Sequence, residues 1–521
     1  MNNDKLNKFV RAIALSIKSN PLQNIEKLKM KLCKKHKIPM IKNAKILSLL
    51  PSSLKSPLII KKLSTRPTRT GSGVTPIAIM PPPFPCPGKC IYCPRGENAP
   101  QSYTGYEPAT MRAIQNKYDA KKQIKMRLSQ YEALGQPNEK CELIIMGGTF
   151  PAAPSKYTDK FIIQCYNAFN SKNSSSLPRA KKINEKAKHR IIGLTIETRP
   201  DWCKISHIDK MLEWGATRVE LGVQTLDNKI LKKVKRGHDV NETIRATADL
   251  KNSAFKVCYH FMPGLYSTHK KDVEMLKKLF TNSSFCPDML KLYPCLVMKN
   301  TKLYAEYQAG RFHPIDTQEA VSRIADAAKY FPPWARIMRM QRDIPANNIS
   351  AGVKKGNLHQ LVDMELEKRG EKLRDIRSRE IFSLQRTGKN VGKLNFELVE
   401  RKYNASNGIE HFISFEDIEK DLLAGFIRLR FPPSSHRKEI TSSTALIREL
   451  HVYGKEVSIG VDGEGGAIQH TGIGKQLLSR AEEIAQDNKK EKMLIISGVG
   501  ARPYYRKFGY KLVGPYMGKK L

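Results

Sequence analysis

The sequence predicts an α/β protein in which a partial or complete (βα) barrel is joined to a second, smaller α/β domain. Three observations predict it. Six short apolar runs, at 74–80, 143–147, 191–197, 217–223, 256–262 and 290–294, alternate with polar stretches of helical length. That alternation is the mark of repeated βα units around a parallel sheet. Further strand-like runs at 410–415, 422–429, 445–452 and 493–497, with a glycine turn opening a helix over about 474–486, supply a separate small domain. The length, 521 residues, exceeds one ordinary core.

Taken in order, residues 1–72 are basic with apolar positions near helical spacing, and end in Arg66-Pro-Thr-Arg-Thr-Gly-Ser-Gly73. Residues 73–330 hold the βα units. Residues 331–400 are charged, including Lys368-Arg-Gly-Glu-Lys-Leu-Arg-Asp-Ile-Arg-Ser-Arg379, and read as a linker with helices; residues 401–521 form the second domain.

Charge points to the partner. The chain has 91 Lys and Arg against 49 Asp and Glu, a net +42. Such an excess attracts polyanions over a long range. A lysine-rich composition that serves solubility is the competing explanation, but the placement is uneven: residues 1–70 hold 17 Lys and Arg and two acids, Asp4 and Glu26. Lys27–Lys31 and Cys33–Lys37 alternate basic and apolar positions, as a helix with one phosphate-facing side would. With no apolar run of 18 residues and no signal-peptide core at the N-terminus, a cytoplasmic protein without a membrane span is expected.

The ten cysteines all lie at or before Cys295, and three cluster as Cys86-Pro-Gly-Lys-Cys90-Ile-Tyr-Cys93, directly after the first strand. Three thiolates hold three irons of a [4Fe–4S] cluster and leave the fourth open to an outside ligand. Zinc competes, but a structural zinc wants four ligands, and the next cysteine is Cys141. An open iron suits S-adenosylmethionine (SAM), whose amino and carboxylate groups chelate it in radical chemistry. Successive strand ends supply contacts for it: Gly147, Gly148 and Thr149 after the second, Glu197 and its neighbours Thr198-Arg199-Pro200 after the third, Gln224 after the fourth. Each taken singly also fits a plain turn.

Near the C-terminus, Gln469, His470, Gly472, Ile473, Gly474 and Lys475 form a Q-x-x-G-x-G turn before an amphipathic segment. Bare backbone N–H groups and the helix dipole there suit a pyrophosphate. The turn resembles the acetyl-CoA loop of GNAT acetyltransferases, as does the ending Tyr504-Tyr505-Arg-Lys-Phe-Gly-Tyr510. Tyr504 or Tyr505 would then meet the thioester; packing in an aromatic core is the alternative for each.

With both halves in view, the chain closely resembles the catalytic subunit of Elongator, a family of tRNA uridine carboxymethyltransferases that fuses a radical-SAM partial barrel to a GNAT domain. The resemblance runs from about Arg66 to the end. It rests on Gln101-Ser-Tyr103-Thr-Gly-Tyr106-Glu-Pro, Glu197-Thr-Arg-Pro-Asp201, Arg236-Gly-His238, His260-Phe-Met-Pro-Gly264, Lys291-Leu-Tyr293-Pro294 and Arg448-Glu-Leu-His-Val-Tyr-Gly454, beside the cysteines and the Gln469–Gly474 loop. It implies that a SAM-derived radical takes hydrogen from the acetyl methyl of acetyl-CoA, that the carbon radical adds to the tRNA wobble uridine, and that hydrolysis leaves 5-carboxymethyluridine. It further implies Lys291, Tyr293, Tyr103 and Tyr106 around the uridine and acetyl groups, an electron donor, and partner subunits or self-association. Two departures stand out: Leu373 lies where relatives often carry a zinc-site cysteine, and Asn407-Gly408 replaces a Gly-Gly pair. Two other functions compete, a protein lysine acetyltransferase with a structural cluster and an RNA-binding scaffold. The charge argues against the first and the complete cysteine and glycine sets against the second.

Overall fold

The computed structural model describes residues 3–63, 73–381, 394–453 and 472–521. Seven strands form one sheet in chain order: β1 (Thr75–Ile79), β2 (Lys140–Ile145), β3 (Arg190–Thr198), β4 (Arg218–Gln224), β5 (Lys256–Phe261), β6 (Met289–Leu292) and β7 (Arg336–Arg339). Every neighbouring pair is parallel. The sheet stays open between β1 and β7, so the barrel is partial. Aspartate and threonine caps start the covering helices: Asp227, Asp239, Thr268 and Asp316 each accept a backbone N–H three residues on.

The first six strands lie where the apolar runs place them. The seventh falls beyond residue 330, in the stretch expected as a linker; its sequence, Arg-Ile-Met-Arg, is too short and charged to read as a strand. The sheet's two faces differ. On β2, Cys141, Leu143 and Ile145 point outward into the helices' core, while Lys140, Glu142 and Ile144 line a cavity on the inner face. On β4 the inward residues are Arg218, Glu220, Gly222 and Gln224. A closed barrel would fill that space with branched apolar side chains; this one lines it with charge.

The second sheet runs β13 (Lys511–Val513), β14 (Tyr516–Lys520), β12 (Lys492–Ile495), β11 (Thr444–Val452), β10 (Leu422–Phe431), β9 (Gly408–Asp417), β8 (Glu397–Ala405). Only β11 and β12 are parallel, and they pair from Thr444–Lys492 to Ile447–Ile495. β11 then continues to Val452 on β10 alone, so a wedge opens beside it. The helix Ile473–Asp487 packs its Leu477, Leu478, Ala481 and Ile484 into this domain's core. β8 begins at Glu397, before the expected boundary at 401. A two-residue turn joins it to β9, with Ser406 at φ 47° and Asn407 at φ 58°; asparagine tolerates that region, so the departure from Gly-Gly costs little. Leu373, in the other departure, is buried in the core.

The N-terminal segment is helical, as expected: α1 (Asn3–Ser19), α2 (Ile25–His36), α3 (Asn43–Leu49) and α4 (Pro57–Leu63) share a core around Phe9, Ile13, Leu32, Ile46 and Leu63. On α2, Lys27, Lys31, Lys34 and Lys35 are exposed. Lys29 is instead buried and donates to Glu26 at 3.1 Å, so it offers nothing to a phosphate.

A buried charge network joins the two sheets. Arg448 on β11 donates to Asp288 at 2.7 and 2.5 Å, to the Phe255 carbonyl at 2.8 Å and to Glu410 at 2.9 Å. Lys251 lies 3.4 Å from both Asp288 and Glu410. Backbones also meet: a Cβ on Gly498 would lie 2.0 Å from the Ile192 carbonyl oxygen, and one on Gly500 would lie 2.5 Å from the Arg190 Cβ. Glycine at both positions lets the loop after β12 rest directly on β3.

Candidate active site

β1 delivers the chain into the cysteine loop, and Gln123 pins the exit by bonding both the N–H and the carbonyl of Met80 at 3.0 and 2.9 Å. The loop's middle is tied down by Ile91, whose N–H donates to Val234 O at 3.1 Å and whose carbonyl accepts from Leu303 at 2.9 Å. Cys86, Cys90 and Cys93 are unbridged, half-buried, and face one cavity. Gly88 N–H points at Cys86 Sγ at 3.4 Å, and Arg236 Nη1 at Cys90 Sγ at 3.4 Å. Burial pushes the Cys93 thiol up, as does its neighbour Cys90.

The donor set fits a cluster better than zinc. The three sulfurs do not all lie within 4.8 Å of one another, as ligands of a single ion with 2.3 Å bonds would. An anion fits beside them: Arg199 Nη1 is buried without a hydrogen-bond partner, and it packs so closely on Gly88 that a Cβ there would lie 2.0 Å away. Its other nitrogens bond Asp201 at 2.9 and 2.7 Å. An unpaired guanidinium N–H next to Cys86 suits the carboxylate of a bound amino-acid moiety.

The expected strand-end contacts mostly converge here. Gly148 and Thr149 line the cavity, and Thr149 Oγ1 lies 3.9 Å from Cys86 Sγ. Gly147 does not line it; at φ 120° it turns against Pro81 and Pro100. Glu197 lines the cavity but already accepts from the Tyr103 hydroxyl at 3.0 Å. Gln224 sits there with φ 71°. Lys291 and Tyr293 occupy the inner face of β6 and the residue after it, and Tyr106 is exposed at the rim.

Four residues of this wall carry no role in the sequence reading. Arg236 also donates to the Gly222 carbonyl and, at 3.1 Å, to His238. Glu220, His260 and Arg218 form an ionic group around Lys291. Polar residues at every second position of β4 were the available signal, masked by its apolar partners in the same run.

The same cavity, about 1720 Å³, reaches the second domain's wedge. Gly472, at φ 80°, caps the helix Ile473–Asp487, and Gly474 and Lys475 open onto the space. Ile473 turns its side chain into the core and has only its backbone to offer. Gln469 and His470 lie outside the described residues. The Tyr504 hydroxyl rests over Gly474, where a Cβ would meet it at 2.7 Å. Burial raises the Tyr504 hydroxyl to about 12, so it stays protonated and able to donate. Tyr505 is a core residue, edge-on to Tyr504 at 5.2 Å and buried among Leu477 and Tyr510. Of the two, Tyr504 is the one set over the helix opening.

Family comparison matches this layout. The Radical SAM superfamily matches residues 81–280, the Radical SAM C-terminal domain 287–368, and the acetyltransferase (GNAT) domain 465–520. The first family binds SAM and a [4Fe–4S] cluster, and the last binds acetyl-CoA. A tRNA uridine(34) acetyltransferase of Methanocaldococcus infernus is 49% identical over 473 residues, 89% of each chain. Elongator complex protein 3 of Schizosaccharomyces pombe is 39% identical over 531 residues, covering 98% of this chain and 97% of the other. The solved archaeal Elp3 of Methanocaldococcus infernus, with an N-terminal deletion, superposes with a TM-score of 0.77 at 45% identity, over 86% of this chain and all of that one. The protein thus belongs to the family of tRNA uridine(34) acetyltransferases and Elongator complex protein 3.

Proposed function

We propose that this enzyme converts the wobble uridine of tRNA to 5-carboxymethyluridine, with acetyl-CoA as the carbon source. One observation carries the reading: a single cavity is lined at one end by Cys86, Cys90 and Cys93 and at the other by Gly472, Gly474 and Tyr504. A plain acetyltransferase has no use for a thioester pocket that opens into a barrel. When bound, the cluster and SAM supply a carbon-centred radical able to abstract hydrogen from an unactivated methyl group.

The protein's own groups bind and orient. N–H groups at the start of the helix Ile473–Asp487 hold the pyrophosphate, and Tyr504 steadies the thioester over Gly474. Arg199, Thr149 and Gln224 would hold the amino-acid end of SAM. Lys291, Tyr293 and Tyr103 face the acetyl group and an unstacked base. The exposed lysines of α2 hold tRNA phosphates without reading sequence. A one-electron donor is required, and partner subunits or self-association are compatible with the surfaces left open.

The test is anaerobic reconstitution with iron and sulfide, then SAM, acetyl-CoA, reductant and tRNA, with mass spectrometry of nucleosides. The expected products are 5′-deoxyadenosine and 5-carboxymethyluridine, both lost in Cys90→Ser. Lysine acetylation without deoxyadenosine would overturn the proposal.

A further inference from the structure

Below the cysteine loop, the inner faces of β4, β5 and β6 hold an ionic group centred on Glu220, which is 1% exposed. Strand register brings it together: Glu220 lies opposite Cys258, and His260 opposite Lys291. Glu220 Oε2 accepts from Lys291 Nζ and, at 2.7 Å, from His260 Nε2. Its Oε1 faces Arg218 Nη2 at 3.4 Å, and the same Arg218 atom pairs with Glu142 at 2.8 Å. Tyr293 stands edge-on to the His260 ring at 5.3 Å. Lys291, His260 and Tyr293 all border the cavity that joins the two domains.

Glu220, Cys258 and His260 offer ligand atoms within 4.8 Å of one another, yet a metal ion is the wrong occupant. The Lys291 ammonium already sits on the carboxylate oxygen that His260 shares, and burial pushes the Cys258 thiol up, away from the thiolate a metal needs. The cation of this site is the lysine itself.

We propose that Glu220 is a positioning residue that keeps Lys291 as an ammonium donor facing the cavity, where it grips the acyl carbonyl oxygen of the thioester and never accepts the acetyl group. This rests on the acetyl-CoA reading above. An amine attacks a thioester only through its free lone pair, and an ammonium has none. The groups facing Lys291 are Glu220 on β4, Glu197 on β3, Cys258 and His260 on β5, Tyr293 just past the end of its own strand and Arg339 on β7. Burial by itself would lower the Lys291 pKa. Glu220 reverses that, with Tyr293 and Glu197 adding to it, and holds the lysine above its ordinary value. Glu220 is in turn held well below the usual carboxylate range: burial opposes ionisation, and Lys291, His260 and Arg218 overcome it. The Lys291 ammonium keeps N–H donors beyond the one that Glu220 holds, and is therefore set for hydrogen bonding to a developing oxyanion, which strengthens as charge builds there.

The proposal is tested without tRNA or cluster, so its outcome is separable from that of the uridine reading. The purified protein is treated briefly with isotopically labelled acetic anhydride across pH 7–11, and labelling of each lysine is read by mass spectrometry. Only the free amine reacts, so Lys291 should label at least about tenfold less at pH 8 than in Glu220→Gln, and Glu220→Asp should restore most of the protection. Lys251, fully buried in the domain joint, reports the fold and should stay unlabelled in every variant. Incubation with acetyl-CoA alone should leave Lys291 unmodified. Equal labelling of Lys291 in wild type and Glu220→Gln, or acetyl-Lys291 formed from acetyl-CoA, overturns the proposal. Should Glu220→Gln fail to fold, Lys291→Arg decides. A cation without an acceptor amine should keep acetyl-CoA affinity, read by calorimetry, within about tenfold while Lys291→Gln loses it, and equal loss in both rejects the idea.

Discussion

The two ends of the central cavity are built from different material. At the cysteine end the lining is side chains: three thiols, with Arg236 and Arg199 set beside them through long-range contacts. At the other end it is backbone, in a wedge left where β11 and β12 part and a helix start bared by Gly472 and Gly474. A site made of side chains fails when an atom is removed. A site made of backbone fails when an atom is added. Four substitutions press on that contrast, from the largest expected effect to the smallest.

Arg448→Met attacks what holds the two ends to one cavity. It leaves Asp288 and Glu410 buried with much of their compensation gone, which costs about 3–5 kcal/mol. Thermal and urea unfolding should show a single early transition, with cluster retention and CoA binding lost together. Separate transitions, with the cluster kept, would show that the ends are independent. Arg236→Met takes away the donor to Cys90 and should weaken cluster retention about 10- to 100-fold, read as iron content after mild chelation. CoA affinity should be unchanged.

Gly474→Ala is the reverse case, adding one methyl where Tyr504 Oη would be 2.7 Å away. CoA affinity should fall about tenfold, or about 1.4 kcal/mol, by calorimetry, with iron content intact. Gly474→Ala combined with Tyr504→Ala should recover part of the loss if crowding is the cause. The effect that is smallest at neutral pH concerns His451, whose pKa is lowered to about 4 by burial. The folded chain holds it neutral, while the unfolded chain binds its proton below about 6.5. Its contribution to stability is therefore complete above that value and drains as pH falls toward 4, by at most about 1.4 kcal/mol per pH unit. His451→Phe should flatten that part of the stability profile.

The contrast also explains what could be read from the chain. Six barrel strands, the cysteine triplet and the helix after Gly472 follow from period, spacing and turn chemistry, because each is a local pattern. Strand β7 was hidden because four residues with two arginines lack any apolar alternation. Glu220 was hidden for a different reason: it belongs to a run whose other face is apolar, and its meaning depends on His260 one strand on and Lys291 two strands on in the chain. Register, which only folding sets, makes it a shared counter-ion. Likewise, only the fold shows that Tyr505 sits in the core while the Tyr504 hydroxyl rests over Gly474.

The glycines at 498 and 500 have a bearing on how the chain holds together as an object. Because the loop that carries them lies backbone to backbone on β3, and Arg448 grips Asp288 across the same seam, covalent continuity between the halves is not what keeps them in register. A chain nicked between residues 381 and 394 should elute as one particle. Conversely, a GNAT domain borrowed from an unrelated protein could be tethered at the same point and still never seat. The two halves meet in one buried seam, and that seam rather than the connecting chain sets their register.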